Sequence, residues 1–237
     1  MEHGKKYDRL IKLLQAASAV MMIAMLIAAL VLMKKYNISL KNTKPLEEWL
    51  SGSVLTVALI MIAFAVVKSF ALVISPSLIF GVSGLVFDSL PVAILVNFIA
   101  NALSVIIPFF IGKFTGSGMY ESLKNSYPKV KKFDDFTGEN EFLVSFLFKS
   151  TNIIPGDITN LVLGAVGVSF GKFFLAANIG SLPLNILWAI AGNKGDLSNP
   201  ITSLYLLPIA VFSIGASLFI KRISDKQKKK KAREKHE

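Results

Sequence analysis

FLFKSTNIIPGDITNLVLG, residues 146–164, lies inside a long apolar region yet carries Lys149, Asn152, the pair Pro155-Gly156, Asp157 and Asn160. A helix crossing lipid in one pass does not place a base, a helix breaker and an acid within nine positions. Proline removes a backbone donor and disfavours helix at the residue before it. The stretch therefore reads as two apolar half-helices joined at the proline, a hairpin that enters and leaves on one face. Irregular backbone at membrane depth is tolerated where it is buried in protein or lines a wet cavity. The hairpin thus predicts a polar interior.

The rest of the chain supplies the membrane context. Of 237 residues, 53% are hydrophobic and 17% charged, against about 25% charged in soluble domains, which makes this an integral membrane protein. About 20 apolar residues cross a hydrocarbon core of about 30 Å. Uncharged runs of that length occupy Leu13–Met33, Ser89–Gly112, Phe173–Asn193 and Ile201–Ile220. The first follows Lys5, Lys6, Arg9 and Lys12 as a secretory signal would. Its length and the lack of a small-x-small cleavage site favour a retained anchor.

A second interrupted stretch, Leu50–Phe87, contains Lys68, then Ser75-Pro76-Ser77, then IFGVSGLVF. Offsetting the numbering by 80 puts Gly84 over Gly164 and Gly112 over Gly192, each pair 28 residues apart. Pro76 and Pro155 precede the first glycine by eight and nine residues. The order basic residue, proline, glycine, span, glycine occurs twice. With one hairpin and one crossing per unit, the second copy is inverted relative to the first, the pattern of transporter-type sites. The fold class is therefore all-α, with about four full spans and two opposed re-entrant hairpins. A full crossing by residues 50–74 is the alternative, favoured by Lys34, Lys35, Lys41 and Lys44, which otherwise lie outside. Lys113, Lys124, Lys129, Lys131 and Lys132 fall on the inner side, in line with the positive-inside bias.

The inner segment spaces Tyr120, Leu123, Tyr127, Val130, Phe133 and Phe136 at steps of three or four. It reads either as an interfacial amphipathic element or as a loop packed on the bundle, divided at Pro128 into two short helices. The tail from Lys221 has nine Lys or Arg against three acids. It reads as a solvated cytoplasmic tail, with attraction to anionic lipid headgroups as the sharper reading. Nucleic acid is not an expected partner, since no folded basic face accompanies the tail.

The chain has no cysteine, hence no disulfide framework and no cysteine metal site. Gly81-Val82-Ser83-Gly84 looks like the nucleophile motif of rhomboid-type proteases. That chemistry needs a base beside the serine, and the two histidines, His3 and His236, sit in polar termini. Close helix packing explains the motif better. The TGSG run at 115–118 lacks the Lys-Ser/Thr of a phosphate loop. The expectation is no enzyme and no cofactor or metal, with any uphill transport driven by a gradient.

Charges within the membrane region are the functional candidates. Asp88 and Lys172 sit at turns where snorkelling suffices. Lys149 and Asp157 straddle the break, placed to pair across it, and Lys68 is the counterpart of Lys149. Pro76, Pro155 and Gly156 shape the breaks. Asn152 and Asn160 join the site, or else satisfy the freed backbone.

The motif F-K-x-x-x-I-I-P-G-D-I-x-N-x-x-x-G, followed by G-x-S-F-x-x-F and N-I-G-x-L-P, resembles the core of the VTT-domain proteins, the DedA or "SNARE-associated Golgi protein" superfamily. S-P-S-x-I-F-G-V-S-G-x-V-F is similar to that family's first hairpin. The resemblance covers about residues 55–195. The family pattern has arginine where Lys149 stands, often proline at Asn152, and glycine at Asp88; lysine keeps the charge and loses the bidentate fork. The resemblance implies two opposed hairpins that move phospholipid or polyprenyl-phosphate headgroups across the bilayer, with proton coupling in relatives. The expected organisation is an anchor and loop over 1–50, a VTT-like core over 51–195, and a last span with basic tail over 196–237. The expected setting is a multi-pass protein of the bacterial plasma membrane with a cytoplasmic carboxy terminus. The expected function is a lipid flippase or scramblase. A proton-coupled transporter of small ions or solutes, with Asp157 titrating, and a non-transporting membrane scaffold are the alternatives.

Overall fold

The computed structural model describes residues 53–69, 76–136, 140–151 and 153–192 continuously, with scattered positions in 7–34 and 214–222. The runs at 13–33 and 201–220 and the basic tail lie largely outside the described residues. Among those described, the chain is all-helical: α1 Val54–Lys68, α2 Pro76–Val86, α3 Leu90–Ser104, α4 Ile106–Ser126, a 3-10 helix Pro128–Phe136, α5 Glu141–Thr151, α6 Gly156–Ala165 and α7 Phe170–Gly192. Three of the helix starts have a local cause. The Ser53 hydroxyl accepts from the Thr56 N–H and starts α1. Proline is tolerated at a helix start because its missing donor is unneeded there, so α2 opens on Pro76 and α6 opens directly after Pro155.

Among the described residues, two helices are long and apolar enough to cross a membrane, Leu90–Ser126, taken through Val105, and Phe170–Gly192. They correspond to the runs read as spans two and three. Gly116, at φ 62° and ψ −150°, interrupts the first; a side chain disfavours this left-handed geometry and glycine does not. Beyond it, the predicted Tyr120–Phe136 face is packed inward. Leu123, Val130, Phe133 and Phe136 are buried, and Phe133 stacks on Phe148 with centroids 3.8 Å apart. Division at Pro128 is observed, and the segment caps α5 as a packed element. Leu55, Leu59 and Val67 on α1, with Leu95 and Leu175, are exposed. An apolar exterior of this kind is matched by lipid.

The two halves exchange partners. α1 packs on α3 and α5 on α7; α2 packs on α7, whereas α6 packs on α4. Glycines enable the exchange. A Cβ at Gly112 would overlap the Leu161 carbonyl, and one at Gly192 would overlap the Gly81 carbonyl. Both contacts relate by the same offset of 80 that aligns the repeats. Residues 157–165 of α6 are all buried, which makes α6 the centre of the molecule. In lipid, helix association depends on close packing rather than on water exclusion, so the glycine contacts hold the halves together. A Cβ at Gly164 would overlap the Phe109 carbonyl, whereas one at Gly171 meets nothing within 4 Å. Gly164→Val is therefore expected to cost about 1–3 kcal/mol or more, and Gly171→Ala to be neutral or stabilising by up to about 1 kcal/mol. Thermal unfolding in detergent checks both; equal melting of the two variants would contradict the contact.

Candidate functional site

α1 ends at a lysine that its own helix has turned inward. Ser69 follows, its hydroxyl donating to the Val66 carbonyl at 2.6 Å. Lys68 itself is 1% exposed, and its Nζ donates to Asp157 Oδ2 at 2.6 Å. Asp157 lies in the first turn of α6, so the ion pair joins the end of the first half's α1 to the start of the second half's α6. Lys149, in the last turn of α5, donates to Asn160 Oδ1 at 3.1 Å. Asp157 and Asn160 are three apart and share a helix face. Both lysines are thus brought to the same face of α6.

The pairing predicted between Lys149 and Asp157 is corrected by this geometry. The Asp157 carboxylate has closed on Lys68, 89 residues earlier, and Lys149 has taken a neutral partner one turn further along α6. The reason is packing: α6 lies against α4, with few contacts to α5, so the break does not fold the half-helices face to face. Asn160 accepts from a lysine. Gly156 belongs to the site, since a Cβ there would stand 3.4 Å from Lys149 Nζ. Pro155, with φ −48° and ψ 135°, sets the chain entering α6, and Pro76 opens the corresponding α2. Asn152 lies outside the described residues.

Charge does not balance here. Lys68, Lys149 and Asp157 are all buried, at 1%, 8% and 6% exposure, which among the described residues sets two cations against one anion. The N–H groups of the first turn of α6 have no acceptor within their own helix, and the helix dipole adds a positive end there. Among the described residues no carboxylate lies within ion-pair distance of Lys149. The arrangement is electropositive and shielded, suited to an anion. Among the described residues no group of three His, Cys, Asp or Glu comes together that would hold a metal ion.

A second polar layer escapes a search for charges. Asn101 on α3 donates to Asn178 Oδ1 and to Ser181 Oγ on α7, both at 2.9 Å. One turn earlier, Asn97 donates to the Phe80 carbonyl of α2 at 3.2 Å. The signal was present in the sequence as polar side chains spaced by three or four inside two apolar runs, the spacing of interhelical contacts. Ser83 donates to the Phe80 carbonyl at 2.7 Å, and Gly81 lies against Gly192, so the GVSG motif serves packing.

At the far end, Glu141 ties the start of α5 to that of α7, accepting from Ser169 Oγ at 2.9 Å and pairing with Lys172 at 3.2 Å. The Ser169 hydroxyl and Lys172 hold the Glu141 carboxyl below its usual range. Asp88 is exposed. Both turn residues, Lys172 and Asp88, are therefore at the surface, as snorkelling requires.

The glycine-linked halves coincide with one unit of known type: a family model described as the VTT domain matches residues 52–194. The chain belongs to the VTT-domain family. As a VTT-domain protein with two membrane-capable helices, it is a membrane protein. The uncharacterized protein YqeD of Bacillus subtilis (strain 168) is 25% identical over 170 residues, 70% of this chain and 78% of YqeD. No solved structure matches this VTT-domain chain.

Proposed function

We propose that this protein is a lipid flippase or scramblase for phosphate-bearing headgroups, of phospholipid or polyprenyl phosphate. The observation behind this reading is the buried surplus of positive charge, Lys68 and Lys149 against Asp157, on the first turns of α6. A buried ion without a counter-ion is costly in a membrane interior and marks substrate pathways. A headgroup phosphate supplies the missing charge.

Length supports the hairpin arrangement. At about 1.5 Å per residue, α5 and α6 reach about 15–17 Å and α1 about 22 Å, short of the roughly 30 Å core. In this reading α1–α2 and α5–α6 dip from opposite faces, four spans surround them, and the basic tail is cytoplasmic. The polar seam where the halves meet lowers the barrier for the headgroup while the tails stay in lipid. Asp157 holds Lys68 in the resting state and gives way as the phosphate arrives.

The full chain in liposomes is the test. Fluorescent anionic phospholipid or polyprenyl phosphate is expected to equilibrate between leaflets without nucleotide or gradient, since a passive seam shifts no equilibrium. Exchange no faster than in empty vesicles, across several lipids, would sink the reading. Asp157, a buried carboxylate between two lysines, favours one second reading, a proton-coupled transporter. That reading requires flux that depends on a pH difference.

A further inference from the structure

Among the described residues, three buried polar atoms have no hydrogen-bond partner: Asn97 Oδ1, Asn185 Nδ2 and Trp188 Nε1. Such atoms are rare in folded proteins, because an unmatched polar group loses its hydration without a bond in return. Here they converge. Asn97 reaches α2 at the Phe80 carbonyl. The next residue, Gly81, carries a Cβ direction that ends 3.9 Å from Trp188 Cε3. Asn185 lies three residues before Trp188 and four after Ser181, which receives Asn101 from α3. All three side chains therefore belong to one junction of α2, α3 and α7. Asn97 and Asn185 are 0% and 1% exposed. Because Asn97 Nδ2 is already engaged with a carbonyl, its oxygen is the atom left free, and the amide orientation is fixed by that bond.

The junction continues the anion site. A Cβ at Gly180 would come 3.2 Å from Lys149 Cβ, and the next residue, Ser181, opens the asparagine layer. One acceptor and two donors, with no charge among them, match a group that donates and accepts at once.

We infer that the α2–α3–α7 junction is a headgroup subsite for neutral hydroxyl groups, so that the preferred substrate carries a polyol or sugar-like alcohol next to its phosphate. The inference rests on the lipid-moving function proposed above and names its substrate class. A hydroxyl donates to Asn97 Oδ1 and accepts from Asn185 Nδ2 or Trp188 Nε1. An alkyl or quaternary ammonium headgroup leaves all three atoms unmatched. Sites built to bind a hydroxyl discriminate strongly against analogues that lack it.

The experiment compares tail-labelled phosphatidylglycerol with tail-labelled phosphatidylmethanol in liposomes holding the full chain. The two headgroups have the same phosphodiester charge and differ in their hydroxyls. Phosphatidylglycerol is expected to exchange about tenfold faster, the ratio given by one ordinary hydrogen bond. Asn185→Leu is expected to bring the ratio toward one; should that variant fail to fold, Trp188→Phe, which removes only the N–H, serves the same purpose. A ratio near one in the unaltered protein overturns the subsite while leaving the phosphate site standing, and is the result expected if water alone fills the junction. A tenfold ratio that survives both substitutions also overturns it. Exchange of neither lipid overturns the function and the subsite together.

Discussion

Lys149→Ala is expected to reduce lipid exchange in liposomes to the rate of protein-free vesicles, with melting temperature in detergent little changed or raised. The asymmetry follows from the pairing. Lys68 and Asp157 neutralise each other at 2.6 Å, whereas Lys149 is held by the side-chain oxygen of Asn160. Removing Lys149 removes the uncompensated charge, so the fold loses one hydrogen bond, worth about 1 kcal/mol, and is relieved of a buried cation whose desolvation costs several kcal/mol. The site, by contrast, loses the charge that would draw a phosphate. Lys149→Arg restores the charge and is expected to retain much of the exchange, its bulk set against the closeness of Gly180 and Gly156. An alanine variant that melts far below the unaltered protein would make Lys149 a structural residue and remove it from the pathway. An alanine variant that exchanges lipid at full rate would do the same to the proposed role.

The fold was legible where the sequence holds strong local signals. Pro76 and Pro155 mark the starts of α2 and α6 because proline acts on its own backbone. The glycine spacing marked the close contacts because backbone contact leaves no alternative residue: Gly112 and Gly192 each face a carbonyl at positions 80 apart, Leu161 and Gly81. The candidate site was legible as a set of residues but not as a set of pairs. Lys68, Lys149, Asp157 and Asn160 do meet. Their partners depend on how α6 is seated against α4, a long-range property that spacing within 146–164 does not contain. Sequence proximity favoured Lys149 with Asp157, and tertiary packing chose Lys68. The asparagine layer is hidden in the sequence for a different reason. Asn97, Asn101, Asn178 and Asn185 are uncharged, and single asparagines in apolar runs draw attention only when a facing helix shows them in register.

Asp157→Ala is expected to be the most destabilising single change at the site, by about 3–5 kcal/mol, the cost of breaking a buried pair by removing one partner. Among the described residues, two buried lysines then share a site that has lost its carboxylate, Lys68 at 1% and Lys149 at 8% exposure. Lys68→Met should cost less, because Lys149, on the same face of α6, is placed to take over the freed carboxylate. The sharper consequence lies in the double variant. Lys68→Met with Asp157→Ala removes a neutral pair as a unit, and replacing a buried ion pair by apolar groups is often neutral or stabilising. The double variant is therefore expected to melt well above Asp157→Ala alone, an interaction energy of the size seen between residues in direct contact. Detergent melting of the four proteins reads this cycle directly. If the two substitutions simply add, the 2.6 Å contact contributes no coupling, and the bridge between the two halves must be sought in the glycine contacts alone. If they compensate, exchange rates for the double variant then separate the roles of the lysines. Lys149 alone, still charged and now without a competing carboxylate, should continue to move phosphate headgroups. Loss of exchange in a double variant that is stably folded would instead assign the phosphate to both lysines together.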